Sequence, residues 1–99
     1  MQDEENELAS LRERIDNIDY LIHDLVNDRA KLALKIAQIK IKYHGEKANF
    51  HRPEREKLIL QQIKNYNKGP LDEFAIERIF AMIIQECREL QTHTDGFSS

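Results

Sequence analysis

Apolar residues recur along the first half of the chain at alternating intervals of three and four: Leu8, Leu11, Ile15, Ile18, Ile22, Leu25, Leu32, Ile36, Ile39 and Tyr43, with Arg29 in register between Leu25 and Leu32. No Gly or Pro interrupts this run before Gly45. The spacing predicts one helix over 8–43 with a coiled-coil-like seam, about 54 Å long at 1.5 Å per residue. The stretch 44–52 loses the period and contains Gly45, so it reads as a loop. Pro53 suits the first position of a second helix, with Glu54 and Glu56 near its positive end. Leu58, Ile59, Ile63 and Tyr66 carry that helix to about residue 67, where Asn67-Lys68-Gly69-Pro70 turns the chain. A third helix starts near Leu71 or Asp72; with Asp72 as N-cap, Ala75 takes the third helical position and no capping box forms. Its apolar stripe is Ile76, Ile79, Phe80, Ile83, Ile84, Cys87 and Leu90.

The expected fold is therefore all-α: long, short and medium helices over a domain spanning 8–91. Residues 1–7 read as a disordered acidic leader, although Asp3, Glu4 and Glu5 also suit a helix start. Residues 92–99 read as a polar tail or the start of a linker. The two shorter helices together span about 50 Å and would cover only one side of the first. An intertwined, antiparallel homodimer, with the long helices paired, buries the seam.

Composition narrows the class further. At 99 residues the chain makes one domain, and 40% hydrophobic with 33% charged residues fits a folded helical protein. The single Cys excludes an internal disulfide framework and a Cys-rich zinc site. A net charge of -3 argues against nucleic acid as a partner. No run of about 18 apolar residues is present, so no membrane span is expected. The acidic N-terminus is unlike a secretory leader, and a cytoplasmic protein is the expectation.

Charge within the apolar frame supplies the candidate chemistry. Arg29 on the seam either fixes register by pairing with a carboxylate across an interface, or clamps a carboxylate or phosphate ligand inside the bundle. Lys40 follows eleven residues later, so it points only about 20° away and lies about 16 Å along the axis. Alone it fits a solvated lysine-rich face; with Arg29 it could hold the two ends of a small polyanion. Arg12 lies about 25 Å from Arg29 and is turned by about 100°. It either belongs to a solvated face or, in an antiparallel pair, approaches the middle of the partner helix. Arg55 and Glu56 open the second helix, where surface ion pairing is the plain alternative. Cys87 fits a small buried side chain, and Gln91 lies four residues further along that face. The four histidines show no metal-ligand spacing, and no glycine-rich phosphate loop occurs, so neither metal nor cofactor is expected.

Several segments together resemble one family. They are 11–19 (Leu-Arg-Glu-Arg-Ile-Asp-Asn-Ile-Asp), 28–33 (Asp-Arg-Ala-Lys-Leu-Ala), Ile39-Lys40, 52–56 (Arg-Pro-Glu-Arg-Glu), 67–71 (Asn-Lys-Gly-Pro-Leu), Ile79-Phe80 and 83–87 (Ile-Ile-Gln-Glu-Cys). In this order and spacing the chain resembles the all-helical class of chorismate mutase. Within that class it is most like the N-terminal mutase domain of the bacterial bifunctional chorismate mutase/prephenate dehydratases. The resemblance implies a homodimer with two sites, each completed by an arginine from the other chain, and admits a C-terminal fusion to a prephenate dehydratase domain. It implies that Arg12 is the crossing arginine and Arg29 the same-chain carboxylate clamp. Lys40 would donate to the ether oxygen and a carboxylate, and Gln91 to the ether oxygen from the far side. Glu56 would lie near the ring hydroxyl, with Arg55 as the neighbouring site arginine. Two positions depart from the family pattern: Arg52 stands where an aspartate contacts the ring hydroxyl, and Cys87 stands where a serine lies near a carboxylate. A thiol is the poorer donor.

The implied reaction is the Claisen rearrangement of chorismate to prephenate, in the shikimate route to phenylalanine, with no covalent intermediate. Two other activities fit the same helical frame: an isochorismate-pyruvate lyase and a non-catalytic dimerisation module. The second gives no reason for a cation on the seam.

Overall fold

The first helix is set by a long stretch free of breakers and rich in straight-chain and alanine residues. The computed structural model describes residues 2–93, and in it this helix, α1, runs Gln2–His44. It begins ahead of Leu8, so residues 2–7 are helical rather than a disordered leader. The cause is electrostatic: Asp3, Glu4 and Glu5 occupy the first turn, where carboxylates meet the positive end of the helix dipole. Its 43 residues make a rod of about 64 Å. Gly45, at φ +55°, takes the left-handed conformation that ends it, and a 3₁₀ turn, Gly45–Lys47, leads into the connection.

Helix α2, Pro53–Tyr66, has Pro at its start and no side-chain cap from Arg52. Asn67 closes its far end: the backbone N–H donates to the Ile63 carbonyl at 3.0 Å, and the side-chain amide donates to the Leu71 carbonyl at 2.8 Å. Helix α3, Glu73–Thr92, is capped by Asp72, whose carboxylate accepts from the Ala75 N–H at 2.7 Å. The expected N-cap and the turn at 67–70 are both in place. The tail expected over 92–99 lies, beyond His93, outside the described residues.

All the described elements are helical. α3 packs against both α1 and α2, whereas α1 and α2 make no close backbone approach. The buried hydrophobic residues are Ala33 and Ala37 on α1 and Ile84 and Cys87 on α3, the two helices that pack together. Alanines there let the two helix axes draw close. The far end of the α2–α3 hairpin carries an ion pair, Lys64 to Glu77 at 3.4 Å.

The seam lies elsewhere on α1. Ile15, Ile22, Leu25, Leu32 and Ile39 are each more than half exposed in the single chain. The backbone extends over 62 × 32 × 14 Å. The radius of gyration is 18.2 Å, against about 13 Å for a compact domain of this length. One chain folds as a slab with an uncovered apolar face.

Candidate active site

Because α1 and α2 stay apart while both flank α3, a cavity of about 280 Å³ opens between them. Each wall follows from helical periodicity. From α1 come Arg29, Leu32, Ala33, Ile36 and Lys40; from the start of α2 come Arg55, Glu56 and Ile59, preceded by Arg52. Helix α3 gives Ile84, Cys87, Arg88 and Gln91, and the connection gives Phe50. Arg29 and Lys40, expected on one line of α1, thus line the same cavity as Arg52, Arg55, Glu56, Cys87 and Gln91. Arg12 does not: it is exposed on the N-terminal half of α1, away from the lining residues of its own chain.

Three of the polar groups are held by bonds that cross between elements. Gln91 is 8% exposed, and its Nε2 donates to the Ala33 carbonyl at 2.8 Å. A carbonyl only accepts, so this contact fixes which end of the amide is the nitrogen and leaves one N–H spare. Lys40 Nζ donates to the Asn49 carbonyl at 2.9 Å, which leaves two ammonium protons uncommitted. Arg88 Nη1 meets both Glu56 carboxylate oxygens, at 2.8 and 2.6 Å. Each group is anchored on one side and keeps hydrogen-bonding capacity on the other, the arrangement that preorganised electrostatic stabilisation requires.

The cavity lining carries five cations, Arg29, Lys40, Arg52, Arg55 and Arg88, against the single carboxylate of Glu56. In a chain of net charge -3 this is a strong local inversion, and a small organic polyanion is the ligand it fits. Cys87 is buried and outside any disulfide. Among the described residues no group of His, Cys, Asp and Glu could hold a metal ion, and no helix is long and apolar enough to cross a membrane.

Arg88 is the charged cavity residue that the sequence reading missed. Its signal was present: it lies four after Ile84 and three before Gln91, so it shares their helix face. The anchoring carbonyls of Ala33 and Asn49 carried no such signal, since backbone acceptors are common to every residue.

Comparison with known proteins gives the same direction. The family described as chorismate mutase type II matches residues 11–92. A bifunctional chorismate mutase/prephenate dehydratase of Stutzerimonas stutzeri is 41% identical over 90 residues, covering 89% of this chain and 25% of that protein. The protein of that description from Aquifex aeolicus is 42% identical over 91 residues, covering 86% of this chain and 24% of its own length. A chorismate mutase of Methanocaldococcus jannaschii is 38% identical over 85 residues, covering 85% of this chain and 83% of that protein. The chain therefore spans about a quarter of the length of the bifunctional relatives and most of the length of the shorter one.

Proposed function

The chain belongs to the chorismate mutase type II family, and from that premise we propose that it converts chorismate to prephenate by a unimolecular Claisen rearrangement. The observation that carries this is the cavity: five cations and a buried, oriented amide gathered in an acidic chain. Chorismate is a dianion with an ether oxygen between its two carboxylate-bearing parts. As the C–O bond breaks and the C–C bond forms, negative charge grows on that oxygen, and no proton or electron need be exchanged with the protein. The task is to hold the diaxial, chair-like conformer and to stabilise the growing charge.

Arg29 clamps one substrate carboxylate. Lys40, steadied by the Asn49 carbonyl, donates to the ether oxygen and the adjacent carboxylate, and Gln91 gives its spare N–H to the ether oxygen from the other side. Glu56 accepts from the ring hydroxyl. Arg55 and Arg52, exposed at the start of α2, add positive potential that draws the dianion in. Cys87 lies against a carboxylate as a weak donor.

The active species is an antiparallel homodimer in which Arg12 of one protomer completes the partner's cavity. The exposed seam supports this: covering Ile15, Ile18, Ile22, Leu25, Leu32, Ile36 and Ile39 contributes on the order of 10 kcal/mol per protomer, comparable to the cost of association. Residues 8–91 form the mutase module, and a prephenate dehydratase domain follows it in the full protein, as the descriptions of the bifunctional relatives suggest. The protein acts in the cytoplasm, without metal or cofactor. The test is direct: the purified chain should abolish chorismate absorbance and yield phenylpyruvate on acidification. Chorismate left intact by folded protein refutes the proposal.

A further inference from the structure

We propose that Arg88 is a positioning residue that acts on the substrate through Glu56. This inference rests on the cavity being a chorismate site. Arg88 reaches from α3 to the first turn of α2, and a single nitrogen, Nη1, bridges both Glu56 oxygens at 2.8 and 2.6 Å. The two side chains are 29% and 22% exposed, dry enough for a charge-assisted pair to hold its geometry.

Glu56 needs such a restraint. It is the one carboxylate among the cations of the cavity, and α2, on which it sits, makes no close backbone approach to α1 and has no side-chain cap at its start. Left free, its carboxylate would swing to the nearest cation. Pairing with Lys40 would consume the protons that the ether oxygen requires, and pairing with Arg55 would draw it toward solvent. Arg88 binds both oxygens from the α3 side and leaves lone pairs to accept from the substrate hydroxyl. Arg88 and Phe50 also line a neighbouring cavity near Gly45, so Arg88 forms part of the wall between two spaces, with Nη1 committed to Glu56.

The test uses the full chain in four forms, R88M, R88K, E56Q and E56Q/R88M, with kcat and KM for chorismate and a thermal melt for each. R88M should lose about 10- to 100-fold in kcat/KM, the scale of a misplaced contact group, while remaining folded at the assay temperature. R88K should recover part of that loss. The decisive expectation is non-additivity: E56Q/R88M should be no worse than E56Q alone, because Gln offers a single acceptor oxygen and the two-oxygen, charge-assisted bridge through which Arg88 acts is already broken. Losses that multiply in the double variant overturn the proposal, as does R88M with wild-type kcat/KM, or R88M altered only in its melting temperature. Should R88M fail to fold, R88K against E56Q/R88K decides by the same criterion. Wild-type protein that leaves chorismate intact overturns the functional reading and this inference together. Active wild type with additive variants overturns this inference alone.

Discussion

Replacing Gln91 by Glu tests the catalytic geometry most sharply, because it changes one N–H donor and almost no volume. In the native chain Nε2 gives one proton to the Ala33 carbonyl, at 2.8 Å, inside a site where Gln91 is 8% exposed. An ionised carboxylate at that position has no proton to give either the carbonyl or the substrate ether oxygen. It would also set negative charge against the charge that grows in the transition state. Loss of one such donor costs about 10²- to 10³-fold in kcat, and the repulsion adds to it. A protonated carboxyl restores one donor. Burial beside a carbonyl favours that protonated form, and the surrounding arginines favour the ionised one. The sign follows: the Q91E variant is active in acid and loses activity as pH rises through the pKa of the introduced carboxyl. The assay is the ratio of Q91E to wild-type kcat/KM between about pH 8 and about pH 5, with Gln91→Leu as the control that cannot titrate. The ratio for Q91E should climb by at least about tenfold toward acid, the Henderson–Hasselbalch slope, while that for Q91L stays flat. A Q91E ratio that is flat, or that falls in acid, refutes the role of Gln91 as donor at the breaking bond.

Four further outcomes are expected. Arg29→Ala should lower kcat/KM by orders of magnitude with the fold retained, since Arg29 makes no ion pair within its own chain among the described residues and its removal leaves no buried partner charge behind; retained activity with an early melt would make it a structural residue instead. Light scattering should give about twice the 11.7 kDa chain mass, and mixing inactive R12A with inactive R29A should restore about a quarter of the wild-type rate in a statistical mixture of dimers. No recovery after confirmed subunit exchange would place Arg12 outside the partner's site. Activity should survive exhaustive EDTA treatment, and turnover that returns only with one added metal would contradict the proposed mechanism.

Much of the fold was legible because local signals agreed with one another. Pro53, Asp72 and the turn at 67–70 mark helix boundaries through backbone chemistry that tertiary packing leaves intact. The start of α1 was less legible, because an acidic polar segment can fray or can sit on a helix dipole, and here it does the second. The packing face was less legible still. The large residues of α1 form the obvious stripe, yet α3 packs on the adjacent face carrying Ala33 and Ala37, which hydrophobicity ranks low and close approach favours. On α3 the expected stripe divides likewise: Ile84 and Cys87 are buried, while Ile79 is 47% exposed. Among the cations of the site Arg29 stood out by breaking an apolar pattern and Lys40 by its register with Arg29, whereas Arg52 and Arg55 gained their meaning from the family resemblance. Arg88 was hidden by its neighbours Glu86 and Glu89, which make the end of α3 look like solvated surface until its pairing with Glu56 is seen.

The two apolar faces of α1 impose different demands, and together they link assembly to chemistry. The alanine face is satisfied within one chain and, by bringing α3 close, sets Gln91 against the Ala33 carbonyl. The seam stays exposed among the described residues. A chain whose seam lies open beside the cavity can gather cations along one side of a ligand but cannot surround it, and exposed donors lose most of their electrostatic effect to water. A rearrangement that depends wholly on conformer selection and charge stabilisation therefore gains little from one protomer. The second layer that would cover Leu25, Leu32 and Ile36 would pass beside Arg29, which lies on the same seam, and so would exclude water from the cavity where the donors act. In the proposed dimer, burial of the seam and closure of the site are one event, and substitutions that weaken the pairing of α1 with its partner should lower activity in step with the loss of dimer.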